Sequence, residues 1–210
     1  MKIYNNSKKS HGFTLVELLV VITIIAVLVG LGVAGGQAAI NKARKVTAQA
    51  TATNIVTGIQ QFYGDYSILP DPNGVDADNT GSGAHYSTGP GGDGTDIIEI
   101  LSGLETGTNP FNNRKLKYLS IKNAENGLDG IDYNNSGASP TVNALYDPWG
   151  EPFYMVFDYD YDDRLEFIPD GNGGSTVTSP VNLNGQVAAV YSVGNKEPSE
   201  GTRRDVVESW

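Results

Sequence analysis

From Leu18 to Asn41 the chain runs 24 residues without a Lys, Arg, Asp or Glu. Past Lys42, Arg44 and Lys45 the apolar positions change from continuous to periodic. Ala48, Ala52, Ile55, Ile59, Phe62 and Tyr66 are four and three residues apart, a spacing that puts them on one face of a helix. Ser67-Ile68-Leu69-Pro70-Asp71-Pro72 stops that helix, because two prolines remove backbone donors and bias the residues before them away from helical angles. The pattern predicts one helix over 13–66, with 13–41 apolar all round and the remainder one-faced. At about 1.5 Å per residue, the charge-free run is long enough to cross a bilayer of roughly 30 Å. Gly30, Gly32, Gly35 and Gly36 interrupt the apolar half. Each costs up to about 1 kcal/mol in a helix interior, so they mark either a weak segment or small residues for close helix packing.

Beyond the helix the pattern is short and mixed. Residues 71–95 are dominated by Gly, Asn, Asp, Ser and Thr and predict a surface loop. Asp96 to Leu104 predicts a short helix capped by Thr95 or Asp96, with Ile97, Ile98 and Leu101 toward the core. Residues 105–146 are polar apart from Leu116, Tyr118, Leu119 and Ile121, and little regular structure is expected there. Asp147-Pro148-Trp149-Gly150-Glu151-Pro152 is a turn signal before the β-rich run Phe153 to Tyr161, and 165–168 and 187–193 predict two further strands. The fold class expected is α+β: a long N-terminal helix packed on a small antiparallel sheet of three or four strands, with residues 67–210 as its globular domain.

Glu17 is the anomaly at the head of this pattern, since a lone carboxylate opening an apolar span costs roughly 2.5 to 3.5 kcal/mol unless something pairs with it. Its neighbourhood, Gly12-Phe13-Thr14-Leu15-Val16-Glu17 after a leader carrying Lys2, Lys8 and Lys9, resembles the signal of the type IV pilin and type II secretion pseudopilin superfamily. The resemblance implies that residues 1–12 are a leader removed by prepilin peptidase between Gly12 and Phe13, with N-methylation of Phe13. It also implies that Glu17 pairs with the Phe13 amine of a neighbouring subunit during assembly. Two C-terminal stretches, Asp147-Pro-Trp-Gly-Glu-Pro and Tyr191-Ser-Val-Gly with Asp205-Val-Val-Glu-Ser-Trp210, are similar to segments of major pseudopilins. The fold implied is pilin-like. The function implied is that of a structural subunit of a type IV pilus or a secretion pseudopilus, partnered by prepilin peptidase, by copies of itself and other pilin-like subunits, and by the inner membrane. The precursor is then a single-pass protein of the cytoplasmic membrane with its C-terminal domain exported, and the assembled form a periplasmic or cell-surface filament. The competing explanations are an ordinary secretory signal, which gains nothing from Glu17 and has a shorter apolar core of about 7 to 15 residues, and a plain uncleaved anchor. Lysines and arginines are balanced about the span, so counting them does not orient it.

Composition narrows the function further. The formal charge is −10 and becomes −13 once three leader lysines are gone, which argues against a nucleic-acid partner. There is no cysteine, so no disulfide staples the domain. With His85 alone beyond the leader and set in a glycine-rich stretch, neither a Cys/His dyad nor a credible Ser/His/Asp triad presents itself, and no enzyme activity is expected. No cofactor is expected either, with calcium the one ion to consider. Asp158, Asp160 and Asp162 have the spacing of a calcium loop, but the sixth and twelfth positions are Asp163 and Pro169 instead of Gly and Glu. The alternation is expected instead to be a strand, with the three aspartates on one face and Phe157, Tyr159 and Tyr161 on the other. The pseudopilin resemblance implies a calcium loop before the terminal Trp. Here Lys196, Arg203 and Arg204 stand where acids would hold the ion, so an ion pair from Arg203 or Arg204 to Glu197, Glu200 or one of the three aspartates is expected in its place. The alternative function, in a different class, is a membrane-anchored binding module for a carbohydrate or calcium that uses Trp149 and the acidic stretch.

Overall fold

The computed structural model describes residues 13–72, 85–106, 110–137, 139–169, 180–194 and 206–210, with the side chains of 31–35 left undescribed. The leader, the glycine-rich stretch 73–84 and the residues Lys196, Glu197, Glu200, Arg203 and Arg204 lie outside the described residues, as does the expected ion pair. The chain divides into two compact units, residues 1–42 and 43–210.

Helix α1 runs Leu15–Tyr66 without interruption, glycines included, and ends immediately before the proline-bearing stop. Its two halves have different surroundings. In the first, every described large apolar side chain from Leu15 to Val29 is exposed. Among the described residues no helix is long and apolar enough to cross a membrane; residues 31–35, whose side chains are undescribed, fall inside the charge-free run. In the second half Ala48, Ala52, Ile55, Ile59 and Phe62 are completely buried. Full burial of a side chain such as Phe62 is worth about 1.5 to 3 kcal/mol, so this stripe is a main source of the domain's stability. Gly58 belongs to the same face: a Cβ there would meet the Tyr118 carbonyl at 3.2 Å, so the missing side chain lets the 118–119 segment lie directly on the helix.

The sheet under α1 has four antiparallel strands in the order β1-β4-β7-β8, namely β1 (Tyr86–Ser87), β4 (Phe153–Phe157), β7 (Ala188–Ser192) and β8 (Val207–Glu208). Both central strands are buried along their whole length. Phe153, Met155 and Phe157 of β4, with Ala188 and Val190 of β7, share the core with the α1 stripe. Tyr154, Val156, Ala189 and Tyr191 point the other way into a second cluster with Leu165 and Phe167. That back face is covered by a ladder of β5 (Arg164–Phe167) and β6 (Val181–Asn184), so the 165–168 strand belongs to a covering layer and not to the main sheet.

Several sequence expectations are corrected. Residues 105–146 were expected to hold little regular structure, yet β2 (Gly130–Asn134) and β3 (Thr141–Tyr146) form an antiparallel hairpin. Glu99 and Thr88 seal the outer edge of β3: Val142 N donates to Glu99 Oε1 at 2.7 Å, and Leu145 N donates to the Thr88 carbonyl at 2.8 Å. Helix α2 is Gly94–Ser102 with Asp93 at its N-cap position and no side-chain cap bond. Thr95 does not cap it, because both its amide and its hydroxyl donate to the Gly92 carbonyl. Ile97, Ile98 and Leu101 are fully buried, with Ile100 beside them.

Candidate functional site

The first candidate is the head of α1. Thr14 precedes the helix and Glu17 sits in its first turn. The Thr14 amide and hydroxyl both donate to Glu17 Oε2 at 2.8 Å, and the Glu17 amide reaches back to Thr14 Oγ1 at 3.3 Å. This is a reciprocal capping box, in which helix-terminal donors that no carbonyl can serve are satisfied by side chains. Within its own chain Glu17 is therefore held by Thr14. The signal was available in the sequence as Thr14-Leu-Val-Glu17, a Thr three residues before a Glu at the start of an apolar run. Phe13 is 77% exposed, so the residue after the expected cleavage point is sterically free. Because an N-cap Thr is worth about 0.5 to 2 kcal/mol, Thr14→Ala is expected to loosen the first helical turn by about 1 kcal/mol. The loss is read as faster amide exchange at residues 15–17 in detergent micelles.

The second candidate is the acidic stretch, and here the strand expectation fails. Strand β4 ends at Phe157, and residues 158–163 form a tight loop with Tyr161 at φ 58° and Asp163 at φ 63°. The chain folds back because Asp158 accepts the Asp162 amide at 3.2 Å and the Asp163 amide at 3.1 Å, while Asp162 Oδ1 accepts the Arg164 amide at 2.8 Å. The tyrosines fasten the loop to the end of α1: the Tyr159 hydroxyl donates to the Pro70 carbonyl at 2.8 Å, the Leu69 amide donates to the Tyr161 hydroxyl at 3.3 Å, and Tyr161 stacks on Tyr63.

One oxygen from each of Asp158, Asp160 and Asp162 comes within 4.8 Å of the others. They supply three of the six to eight oxygens that calcium takes, all carboxylate, so the donor chemistry suits a hard cation and leaves the remaining positions to water. Burial first, and Asp160 second, push the Asp158 carboxyl up to about 6. A carboxyl raised in the folded state stabilises the fold below its unfolded value near 3.9, and that contribution is lost as pH rises through about 6. The Asp158 side chain is expected to titrate near pH 6 by carbon NMR of its carboxyl. Asp160→Asn is expected to lower that midpoint by removing the carboxylate that hydrogen-bonds to the protonated Asp158 and, with it, a neighbouring charge.

Trp149 was the carbohydrate candidate. It is half-buried against the main core, its amide donates to Asp147 Oδ1 at 2.8 Å, and its indole nitrogen is buried without a hydrogen-bond partner among the described residues. The ring packs on the core with part of its surface still exposed. His85 has its Nδ1 2.6 Å from the Tyr191 hydroxyl and its ring edge-on to Phe167 and Tyr191.

Among known families, the model described as a prokaryotic N-terminal methylation motif matches residues 7–33. No curated protein and no solved structure matches the chain. The matched segment holds Gly12, Phe13, Thr14 and Glu17, so the head of α1 is a type IV pilin-like N-terminal signal of the kind prepilin peptidase processes.

Proposed function

We propose that this chain is a non-enzymatic structural subunit of a pilin-like filament, cleaved by prepilin peptidase between Gly12 and Phe13, N-methylated on Phe13 and assembled through the first half of α1. The observation that carries this is the methylation motif at residues 7–33, placed so that Glu17 becomes the fifth residue after cleavage. Two features of the chain support it. A segment that is apolar on every face, as Leu15 to Val29 is, has to be covered by lipid or by other helices. The globular unit is complete without that segment, because the stripe from Ala48 to Phe62 closes its core. The precursor then sits in the cytoplasmic membrane through 13–41, with 43–210 exported, and the mature chain joins copies of itself or other pilin-like subunits in a type IV pilus or a secretion pseudopilus.

Mass spectrometry of the chain isolated from a cell that makes the peptidase is expected to show a first residue of N-methyl-Phe13. An intact Met1 terminus in that cell would overturn the proposal. Imaging cells with and without the gene separates the two filament types: long surface fibres belong to a pilus, and their absence in a strain that loses secretion belongs to a pseudopilus.

A further inference from the structure

The globular unit is strongly acidic, with 23 Asp and Glu against 10 Lys and Arg over residues 43–210. Four of those ten bases lie in the nine-residue stretch 114–122, which contains no acid. Arg114 is paired with Asp65 at 3.3 Å and lies over the Tyr66 ring, and Lys122 is paired with Asp129. Lys115 and Lys117 are exposed on either side of Leu116, itself 37% exposed, and make no ion pair among the described residues.

The segment that carries them is held rigidly. Asn112, 1% exposed, donates to the carbonyls of Ile100 and Leu116 and accepts the Leu116 amide. Both Glu105 oxygens accept amides, from Phe111 and Asn112. Lys115 is in the left-handed region at φ 51°, and its carbonyl comes so close to Gly103 that a Cβ there would stand at 2.9 Å. A non-glycine residue rarely adopts that conformation unless its surroundings impose it. Here they turn two lysines outward on a surface already organised for contact.

We infer that the Lys115-Leu116-Lys117 surface docks on the acidic flank of a second copy of this chain, an inference that rests on the filament reading above. Charge identifies the occupant. The exposed residues Asp160, Asp162 and Asp163, offset by Arg164 alone, leave the 160–164 loop with a net charge of −2, against +2 for the two lysines. The fold also places the two surfaces suitably. At about 100° per residue, Asp65 lies about 90° to one side of the core direction set by Ile55, Ile59 and Phe62, and Tyr63 about 70° to the other. Asp65 anchors the basic segment through Arg114 and through the Tyr118 hydroxyl, which donates to it at 2.7 Å. Tyr63 carries the acidic loop through its stack on Tyr161.

Opposite charges on opposite flanks of one helix end cannot neutralise each other within a copy. Between copies they make a heterologous contact that leaves one basic and one acidic flank free to propagate, as an open helical assembly requires. Exposed ion pairs are individually weak, so this contact sets register and speeds encounter while the apolar helix supplies the bulk of the affinity. A lipid headgroup is the poorer occupant, because Asp65 is 22 residues, or about 33 Å, along α1 from Ala43.

The test uses the full chain in cells that process and assemble it. The chain has no cysteine, so Lys117→Cys combined with Asp160→Cys is expected to give a disulfide-linked ladder from oxidised fibres, while either substitution alone gives none. Lys115→Glu with Lys117→Glu is expected to lower sheared fibre about 5-fold at an unchanged level of processed subunit in the membrane. Adding Asp160→Lys and Asp163→Lys is expected to restore it. Fibres of the double-cysteine chain that yield no ladder, or a charge reversal that leaves fibre yield unchanged, would overturn the inference. So would a reversal whose one effect is lost binding to phosphatidylglycerol vesicles, which would assign the lysines to lipid. If the unsubstituted chain, cut at Phe13, forms no fibre at all, the filament reading itself falls.

Discussion

Glu17→Val is expected to abolish assembly while leaving insertion and cleavage intact. Replacing a carboxylate by an apolar side chain removes a cost of roughly 2.5 to 3.5 kcal/mol from a helix that enters a membrane, so on the proposed reading the variant enters the bilayer more easily than the parent chain. On the proposed filament reading, what it loses is the attraction between that carboxylate and the Phe13 amine of a neighbour. Removing one partner of a buried pair leaves the other charge uncompensated and costs about 3 to 5 kcal/mol. Repeated at every subunit of a polymer, such a loss is prohibitive. The capping box refines the expectation. In the single chain Glu17 Oε2 is already held by the Thr14 amide and hydroxyl, so the carboxylate is oriented and partly satisfied before a second chain meets it. Glu17→Gln keeps an oxygen for Thr14 and loses the charge. It is therefore expected to keep the helical first turn yet fail to assemble, whereas Glu17→Val loses both. Fibre yield sheared from cells, set against the amount of processed subunit in membranes, is the measurement. Normal fibre from either variant would mean that the charge is not the assembly device.

Asp147→Ala is expected to destabilise the globular unit severely. Asp147 is fully buried, and its carboxylate organises the approach to the central strand. Oδ1 accepts the amides of Trp149 and Glu151 at 2.8 and 2.9 Å, and Oδ2 accepts the Ser192 hydroxyl across on β7. Its backbone closes the same turn, donating to the Glu151 carbonyl and accepting from the Gly150 amide. Truncation to Ala leaves buried donors without an acceptor, each at about 1 to 3 kcal/mol, so a loss of about 3 kcal/mol or more is expected in chemical denaturation of residues 43–210. Burial raises the carboxyl's own pKa, so its charge is a cost that the fold tolerates for the sake of these bonds. Asp147→Asn, which keeps Oδ1 for the two amides and turns its amide group toward a hydroxyl able to accept, is expected to lose about 1 kcal/mol. An alanine variant no weaker than the asparagine variant would show that the hydrogen bonds do not hold the turn.

What the sequence by itself determined was whatever local chemistry decides. A charge-free run, a stripe at helical spacing and a pair of prolines are each legible within one or two turns, and α1 ends where they say it should. The processing signal is equally local, a short string whose residues act together on one helix end. The turn at Asp147 and the burial of Ile97, Ile98 and Leu101 also follow from neighbours in the chain.

Tertiary structure decided the rest, for a physical reason visible in each case. The hairpin β2–β3 forms in a polar stretch because its exposed backbone edge is met by Glu99 and Thr88, residues 43 and 57 positions away from the bonds they make. The loop that presents Lys115 and Lys117 depends on a buried Asn112 that composition marked as ordinary polar surface. Alternating Asp and Tyr at 158–162 have the period of a strand. They become a loop because Tyr159 and Tyr161 find backbone partners at Pro70 and Leu69 and Asp158 turns its oxygens onto its own chain. Periodicity records which side chains could face the same way, but it carries no record of a hydrogen-bond partner ninety residues distant. Those partners decide between a strand and a turn wherever the local preference is weak.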